Sequence, residues 1–174
     1  MRGDRVDDAD IPPEELAAYI EYRAKVQGTN ISAQSLLATD YLNLFNEIVM
    51  LLDMLPDMPD MIEDCKQWQP KSYPEHFADS TFSDRQLAIE AYDVVPSTYK
   101  KPFEETLAQL NAVLLTGINR LDEEIAAGVE PEVFAEHVRV ISRTAQALMD
   151  WANAIIHGSN RAMDQAEIDG MMTL

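Results

Sequence analysis

The sequence is poor in the residues that form several common kinds of site. Its 174 residues include one cysteine, Cys65, which excludes an internal disulfide framework and fits a reducing compartment. It has only six glycines, and none belongs to a glycine-rich phosphate loop or to a Gly-x-Ser-x-Gly elbow. Nucleotide-dependent enzymes and hydrolases therefore lack their usual motifs here.

Basic residues and long apolar runs are also scarce. Thirteen Lys and Arg stand against 31 Asp and Glu, the formal net charge is −18, and the nearest thing to a basic strip is Lys100-Lys101. This charge repels nucleic acid and anionic membranes, so we expect neither as a partner and expect a protein with a basic surface. No apolar run reaches about 18 residues and the N-terminus has no apolar leader region, which predicts a cytoplasmic protein. Homo-oligomerisation is left open.

Metal and cofactor chemistry lacks a suitable set of residues. The histidines occur as Glu75-His76, Glu136-His137 and an isolated His157, without the Glu-x-x-His pairs of a di-iron bundle. Cys65 has no second cysteine and no histidine nearby, so we interpret it as a packing residue or a surface thiol. We predict no metal and no cofactor.

What the sequence does have is apolar content in helical patterns. Hydrophobic residues make up 47% of the chain, and Ala, Leu, Met, Glu and Gln dominate, which predicts an all-α bundle. We divide the chain into a flexible N-terminus (1–11), a single helical domain (12–158), and a linker with a docking peptide (159–174). Prolines, caps and apolar spacing predict helices over 12–27, 33–55, 61–68, 73–79, 83–95, 102–127 and 131–157.

The last two long helices are expected to pair as an antiparallel hairpin around a turn at 128–130. Apolar residues at helical spacing supply the facing stripes: Phe103, Leu107, Leu110, Leu114 and Ile118 on one helix, and Val133, Val140, Ile141, Ala145, Leu148 and Ile155 on the other.

Two groups of large side chains lie in the middle of the chain. Trp68, Tyr73, His76, Phe77 and Phe82 are expected to pack the end of the bundle, with a ligand pocket as the alternative. Four methionines follow a spacing that would give a soft, adaptable helical surface, but two prolines interrupt it, so core packing is the favoured interpretation. They are Met50, Met54, Met58 and Met61.

The C-terminal segment 164–172, Asp-Gln-Ala-Glu-Ile-Asp-Gly-Met-Met, carries the clearest functional pattern. Asp164 and Glu167 form an Asp-x-x-Glu version of the capping box, and Ile168, Met171 and Met172 fall on one face of the helix they start. The alternative is a frayed helical tail.

This string resembles the segment by which the flagellar motor switch protein FliM, and in looser form the C-terminus of the CheZ phosphatase, hold the chemotaxis response regulator CheY. The resemblance implies a CheY-type response regulator as partner. The residues that it implies for partner binding are Asp164, Gln165, Glu167, Ile168, Asp169, Met171 and Met172.

A second stretch, 38–49, loosely resembles the CheZ helix that presents an acid and an amide, four residues apart, to a phosphoaspartate. The matching residues are Asn43 and Glu47, with amide and carboxylate in exchanged order. The resemblance implies an amide that orients water toward the acyl phosphate and a carboxylate that holds a basic residue of the partner. The alternative is a pair of solvated polar residues beside a core stripe.

We therefore expect a non-enzymatic adaptor or regulatory protein of bacterial two-component or chemotaxis-type signalling. The alternatives are a structural or assembly subunit of a larger complex, and a CheZ-like phosphoaspartate phosphatase.

Overall fold

The computed structural model describes residues 7–173 and confirms the all-α fold. No β-strand forms in that range, where a single antiparallel bridge joins Ile31 and Ala38. Within it, no helix has both the length and the apolar character needed to cross a membrane. The helices are α1 (Pro13–Lys25), α2 (Asn43–Met54), α3 (Ile62–Gln67), α4 (Tyr73–Asp79), α5 (Arg85–Tyr92), α6 (Ser97–Ala127), α7 (Pro131–Ile156) and α8 (Gln165–Met171).

The described residues divide into two compact units. The first contains residues 7–43, 71–106 and 151–162, and the second contains 44–70, 107–150 and 163–173. The boundaries expected from the sequence, at 11/12 and 158/159, stay a prediction.

The residues at the two ends of helix α1, in the first unit, favour the formation of a helix there. Pro13 occupies the first turn, where its missing N–H costs nothing, and acidic and basic residues lie at the ends that the helix dipole favours. Residues 8–10 form a 3-10 turn before it, and Asp8 pairs with Arg23 at 2.9 Å. Residues 1–6 of the expected flexible N-terminus lie outside the described residues.

The predicted α-helix over 33–55 is wrong in its first ten residues, because α2 begins only at Asn43 and a 3-10 turn (39–42) precedes it. Residues 33–37 form a turn in which Leu36 has a φ of 67°. Buried Ser35 fixes this turn, since its hydroxyl donates to the carbonyl of Ile156 at 2.6 Å and accepts from the amide of Leu37 at 3.2 Å. Side-chain hydroxyls thus bind backbone groups that a helix would otherwise use.

Two predicted helix starts in the first unit also differ from the structure. The capping box expected at Ser83 is absent: α5 starts after Asp84, whose side chain makes no capping bond. Helix α6 starts at Ser97 and continues through Pro102. Its first amide is held by the carboxylate of Glu15, which accepts from Ser97 N at 2.8 Å.

In the second unit α6 and α7 pair as the predicted antiparallel hairpin. Gly117 lies so close to Ile141 that a Cβ on the glycine would be 2.8 Å from Ile141 Cγ2. Nearer the turn, His137 Nδ1 lies 2.6 Å from Glu124 Oε1. The predicted stripes are buried with one exception: Val133 is 45% exposed, and Phe134 is buried instead.

The large aromatic side chains were predicted to be packed, and three of them, Trp68, Tyr73 and Phe77, are buried. In the first unit Tyr73 and Phe77 are buried, and the Tyr73 ring stacks on Tyr92 with centroids 4.6 Å apart. In the second unit Trp68 is buried and its indole N–H donates to the carbonyl of Leu44 at 3.1 Å.

Candidate functional site

The C-terminal helix α8 begins at a fully formed capping box. Asp164 Oδ1 accepts from the amide of Glu167 at 2.8 Å, and Glu167 Oε2 accepts from the amide of Asp164 at 2.9 Å. The two bonds satisfy amides that the first turn of a helix leaves without partners, so this local sequence is sufficient to start a helix. The predicted capping pair is therefore confirmed.

The polar side of α8 faces solvent. Asp164, Gln165, Glu167 and Asp169 are all exposed. Gln165 Nε2 donates to Asp169 Oδ1 at 2.9 Å, which links successive turns of this face. An exposed acidic face with fixed geometry suits recognition of a basic surface.

The apolar side of α8 is partly covered by its own unit. Ile168 is only 3% exposed, and Met171 and Met172 are half-buried. The preceding Met163 is also buried, and Gln109 Nε2 of α6 donates to its carbonyl at 2.8 Å. A partner that binds Ile168 must therefore first release it.

The two residues of the phosphatase-like pair lie four residues apart in α2, and both are exposed. Asn43 Nδ2 donates to Asp40 Oδ1 at 3.2 Å. The other oxygen of Asp40 lies 3.0 Å from His76 Nε2. Asn43 thus belongs to an Asn–Asp–His chain of contacts, while Glu47 points to solvent from the next turn.

Sequence reasoning missed the histidine of this chain of contacts. Asp40 and Asn43 are recognisable as an acid and an amide at i and i+3 on one helical face. His76 lies 36 residues beyond Asp40, and no spacing rule connects α4 to the start of α2. Only the fold brings them together.

Cys65 has the environment of a packing residue. It is fully buried, and burial raises the pKa of its thiol to about 11. Because the thiolate is the nucleophile and the metal ligand, the thiol is unreactive near neutral pH. Within residues 7–173 no group of three or more His, Cys, Asp or Glu side chains is placed to hold a metal ion.

Core packing was predicted for four methionines, and three of them are exposed. Met50 is 67% exposed, Met54 39% and Met58 51%, and Met61 is half-buried. Core packing is therefore wrong for the first three.

A groove of about 440 Å³ in the first unit is lined in part by polar groups that already have partners. Glu15 binds Ser97, and Lys100 Nζ donates to the carbonyl of Tyr92 at 3.0 Å. We assign no function to this groove.

Comparison with protein-family models, with curated proteins and with solved structures finds no match to this chain.

Proposed function

We propose that this protein is a non-enzymatic adaptor or regulator that binds a CheY-type response regulator through residues 164–172. The observation that supports this most directly is the reciprocal capping box of Asp164 and Glu167. It holds the segment as a helix before any partner arrives, which lowers the entropy lost on binding. The exposed acids of α8 and the net charge of −18 favour a basic partner surface.

The buried position of Ile168 makes this docking reaction competitive. Releasing a buried Ile side chain costs about 1.5–3 kcal/mol. That cost lowers the apparent affinity by roughly one to two orders of magnitude relative to a helix already free. Binding through the apolar face thus competes with the packing of α8 on its own unit.

The test is a binding titration of the full chain against CheY-type regulators of its own organism, unphosphorylated and beryllofluoride-activated. We expect tighter binding to the activated form. Asp169→Asn and Gln165→Ala alter exposed side chains and leave the core intact, and each is expected to weaken binding by about fivefold, equivalent to about 1 kcal/mol. Glu105→Gln, an exposed acid on α6, controls for the loss of one charge.

A further variant tests the competition between regulator binding and the burial of Ile168. Gln109→Ala removes the bond that holds Met163, so it should free α8 and tighten regulator binding. Binding that is unchanged by Asp169→Asn, Gln165→Ala and deletion of 159–174 would contradict the proposal. It would favour the structural or assembly subunit, which should keep its partners without the tail.

The exposure of Asn43 and Glu47 on α2 favours a CheZ-like phosphatase as a second candidate. Its test is the decay rate of the phosphorylated regulator with the wild-type chain and with Asn43→Ala, Glu47→Ala and the exposed control Asn46→Ala. Faster decay that Asn43→Ala abolishes and Asn46→Ala retains would support it. An unchanged decay rate with saturating wild-type protein would exclude it.

A further inference from the structure

Three exposed methionines form a row along α2 and the turn after it. Met50 and Met54 are one helical turn apart, and the amide of Met58 donates to the carbonyl of Met54 at 2.9 Å. This bond keeps Met58 next to the last turn of α2, beyond Pro56, although the backbone of Met58 itself is not helical (φ −136°, ψ 73°). The row spans nine residues (50–58), and an α-helix of that many residues rises about 12 Å.

The opposite face of α2 already provides the packing that the second unit needs. Leu44, Ile48, Leu52 and Leu55 are buried. Ser142 of α7 donates its hydroxyl to Asp53 Oδ1 at 2.6 Å, which adds a polar attachment. The methionine row is therefore not required to hold α2 in place, and its three thioethers remain in water.

The charged residues of the segment that carries this row have one sign. Residues 44–65 contain six acids and no Lys or Arg. Glu47, Asp57 and Asp60 are exposed. The next basic residue, Lys66, is already paired with Glu63 at 3.3 Å and with Asp122 at 3.1 Å. An apolar row with an acidic rim attracts a ligand that is apolar along one stripe and basic beside it.

We propose that Met50, Met54 and Met58 form a docking surface for a basic amphipathic helix of a partner protein. A helix of two to three turns matches the length of the row, and unbranched methionine side chains adapt to varied apolar partners. A second copy of this chain fits poorly, because a symmetric contact would bring the acidic rim against itself. The inference does not rest on the response-regulator proposal.

The test uses a synthetic Leu/Lys amphipathic helix of about 14 residues, long enough for the row at 1.5 Å per residue. Its control is a Leu/Glu helix with the same apolar stripe. Binding to the full chain is followed by fluorescence anisotropy and by NMR of ¹³C-methyl-labelled methionines. We expect Leu/Lys binding that weakens with salt, shifts at Met50, Met54 and Met58, and little change at the buried Met163.

Substitutions then distinguish binding by the methionine row from attraction to the negative charge of the whole chain. The triple variant Met50→Gln, Met54→Gln, Met58→Gln keeps side-chain length and helix propensity, and should weaken Leu/Lys binding at least about tenfold. Leu115→Gln and Val133→Gln remove exposed apolar side chains elsewhere in the same unit and should change it less than twofold. Asp57→Asn with Asp60→Asn should reduce the salt dependence.

Several results would overturn the docking surface: no binding of the Leu/Lys helix, equal binding of the Leu/Glu helix, or affinity unchanged in the methionine triple variant. Response-regulator binding is measured on the same triple variant. Its persistence there, together with its weakening in Asp169→Asn, would separate the two surfaces and let either proposal fail alone.

Discussion

Asp164 is the side chain on which the start of α8 depends most directly. We expect Asp164→Ala to destabilise α8 by about 1 kcal/mol, because it leaves the amide of Glu167 without its carboxylate acceptor. Amide hydrogen exchange at residues 167–171 measures this as faster exchange. Asp164→Asn keeps a capping oxygen and removes the charge, so it should exchange like the wild type; equal exchange in the Ala and Asn variants would contradict the capping role.

Cys65 gives a prediction about pH. Burial raises the pKa of its thiol from 9.0 to about 11, so the folded state holds this proton after the unfolded state has lost it. The contribution of this protonated thiol to the free energy of unfolding is complete below about pH 9 and is lost as pH rises toward about 11. The urea midpoint of the wild type should therefore fall more steeply between about pH 9 and pH 11 than that of Cys65→Ala. Urea midpoints that fall equally in the two proteins would contradict the raised pKa of Cys65.

The residues of the tail show how far the site follows from sequence. The cap at Asp164 was predictable because both partners lie within four residues. The burial of Ile168 was not, because it depends on what packs against α8 rather than on spacing. Met50 was predicted to pack in the core but is exposed, for the same reason. An amphipathic pattern determines which residues share a face, but not whether another element covers that face.

At the scale of elements, the turn over 33–37 explains why α2 starts late. Ser35→Ala removes a hydroxyl that binds both Ile156 O and Leu37 N, and should destabilise the protein by about 2 kcal/mol because those backbone groups lose their partner in a buried position. Chemical denaturation measures the change. Ser83→Ala is the matched control, since the predicted Ser83 cap is absent, and should stay within about 0.5 kcal/mol.

The contact of α6 with α7 in the second unit depends on the absence of a side chain at Gly117. Gly117→Ala should destabilise the protein by about 1–3 kcal/mol, because the new Cβ would lie 2.8 Å from Ile141 Cγ2. Ile141→Val retains the Cγ2 methyl group, whereas Ile141→Ala removes it. Ile141→Ala is therefore the better test of whether removing the clash restores stability. In a double-mutant cycle it should recover part of the Gly117→Ala loss; additive losses would contradict the close contact.

Some helix starts were predictable from residues beside the helix, whereas the start of α6 depends on a distant residue. Helix α1 starts at Pro13, one residue from its predicted start, and α4 starts at the predicted Tyr73, after a capping box formed by Ser72. The start of α6 depends on Glu15, which is 82 residues away from Ser97 in sequence. Pro102 therefore looked like the first position of a helix that in fact begins five residues earlier.

On the scale of the whole chain, acidity connects the two proposed surfaces. On the two proposals, the acids of α8 and those beside the methionine row would both favour basic partners, although α8 is a preformed helix and the methionine row is adaptable. An adaptor with two such surfaces could hold two different proteins. The same charge opposes its own folding through self-repulsion.

This self-repulsion gives the last prediction. Raising NaCl from about 0.01 M to about 0.5 M shortens the Debye length from about 30 Å to a few ångströms, so the melting temperature should rise as repulsion among the 31 acids is screened. Replacing exposed acids Glu105, Glu123 and Glu132 with Gln lowers the charge without touching the core, and should raise the melting temperature at low salt and flatten its salt dependence. Calorimetry at matched pH measures both. A melting temperature that falls with salt would mean that ion pairs such as Lys66–Asp122 outweigh the repulsion, and the acidity would then stabilise the fold rather than oppose it.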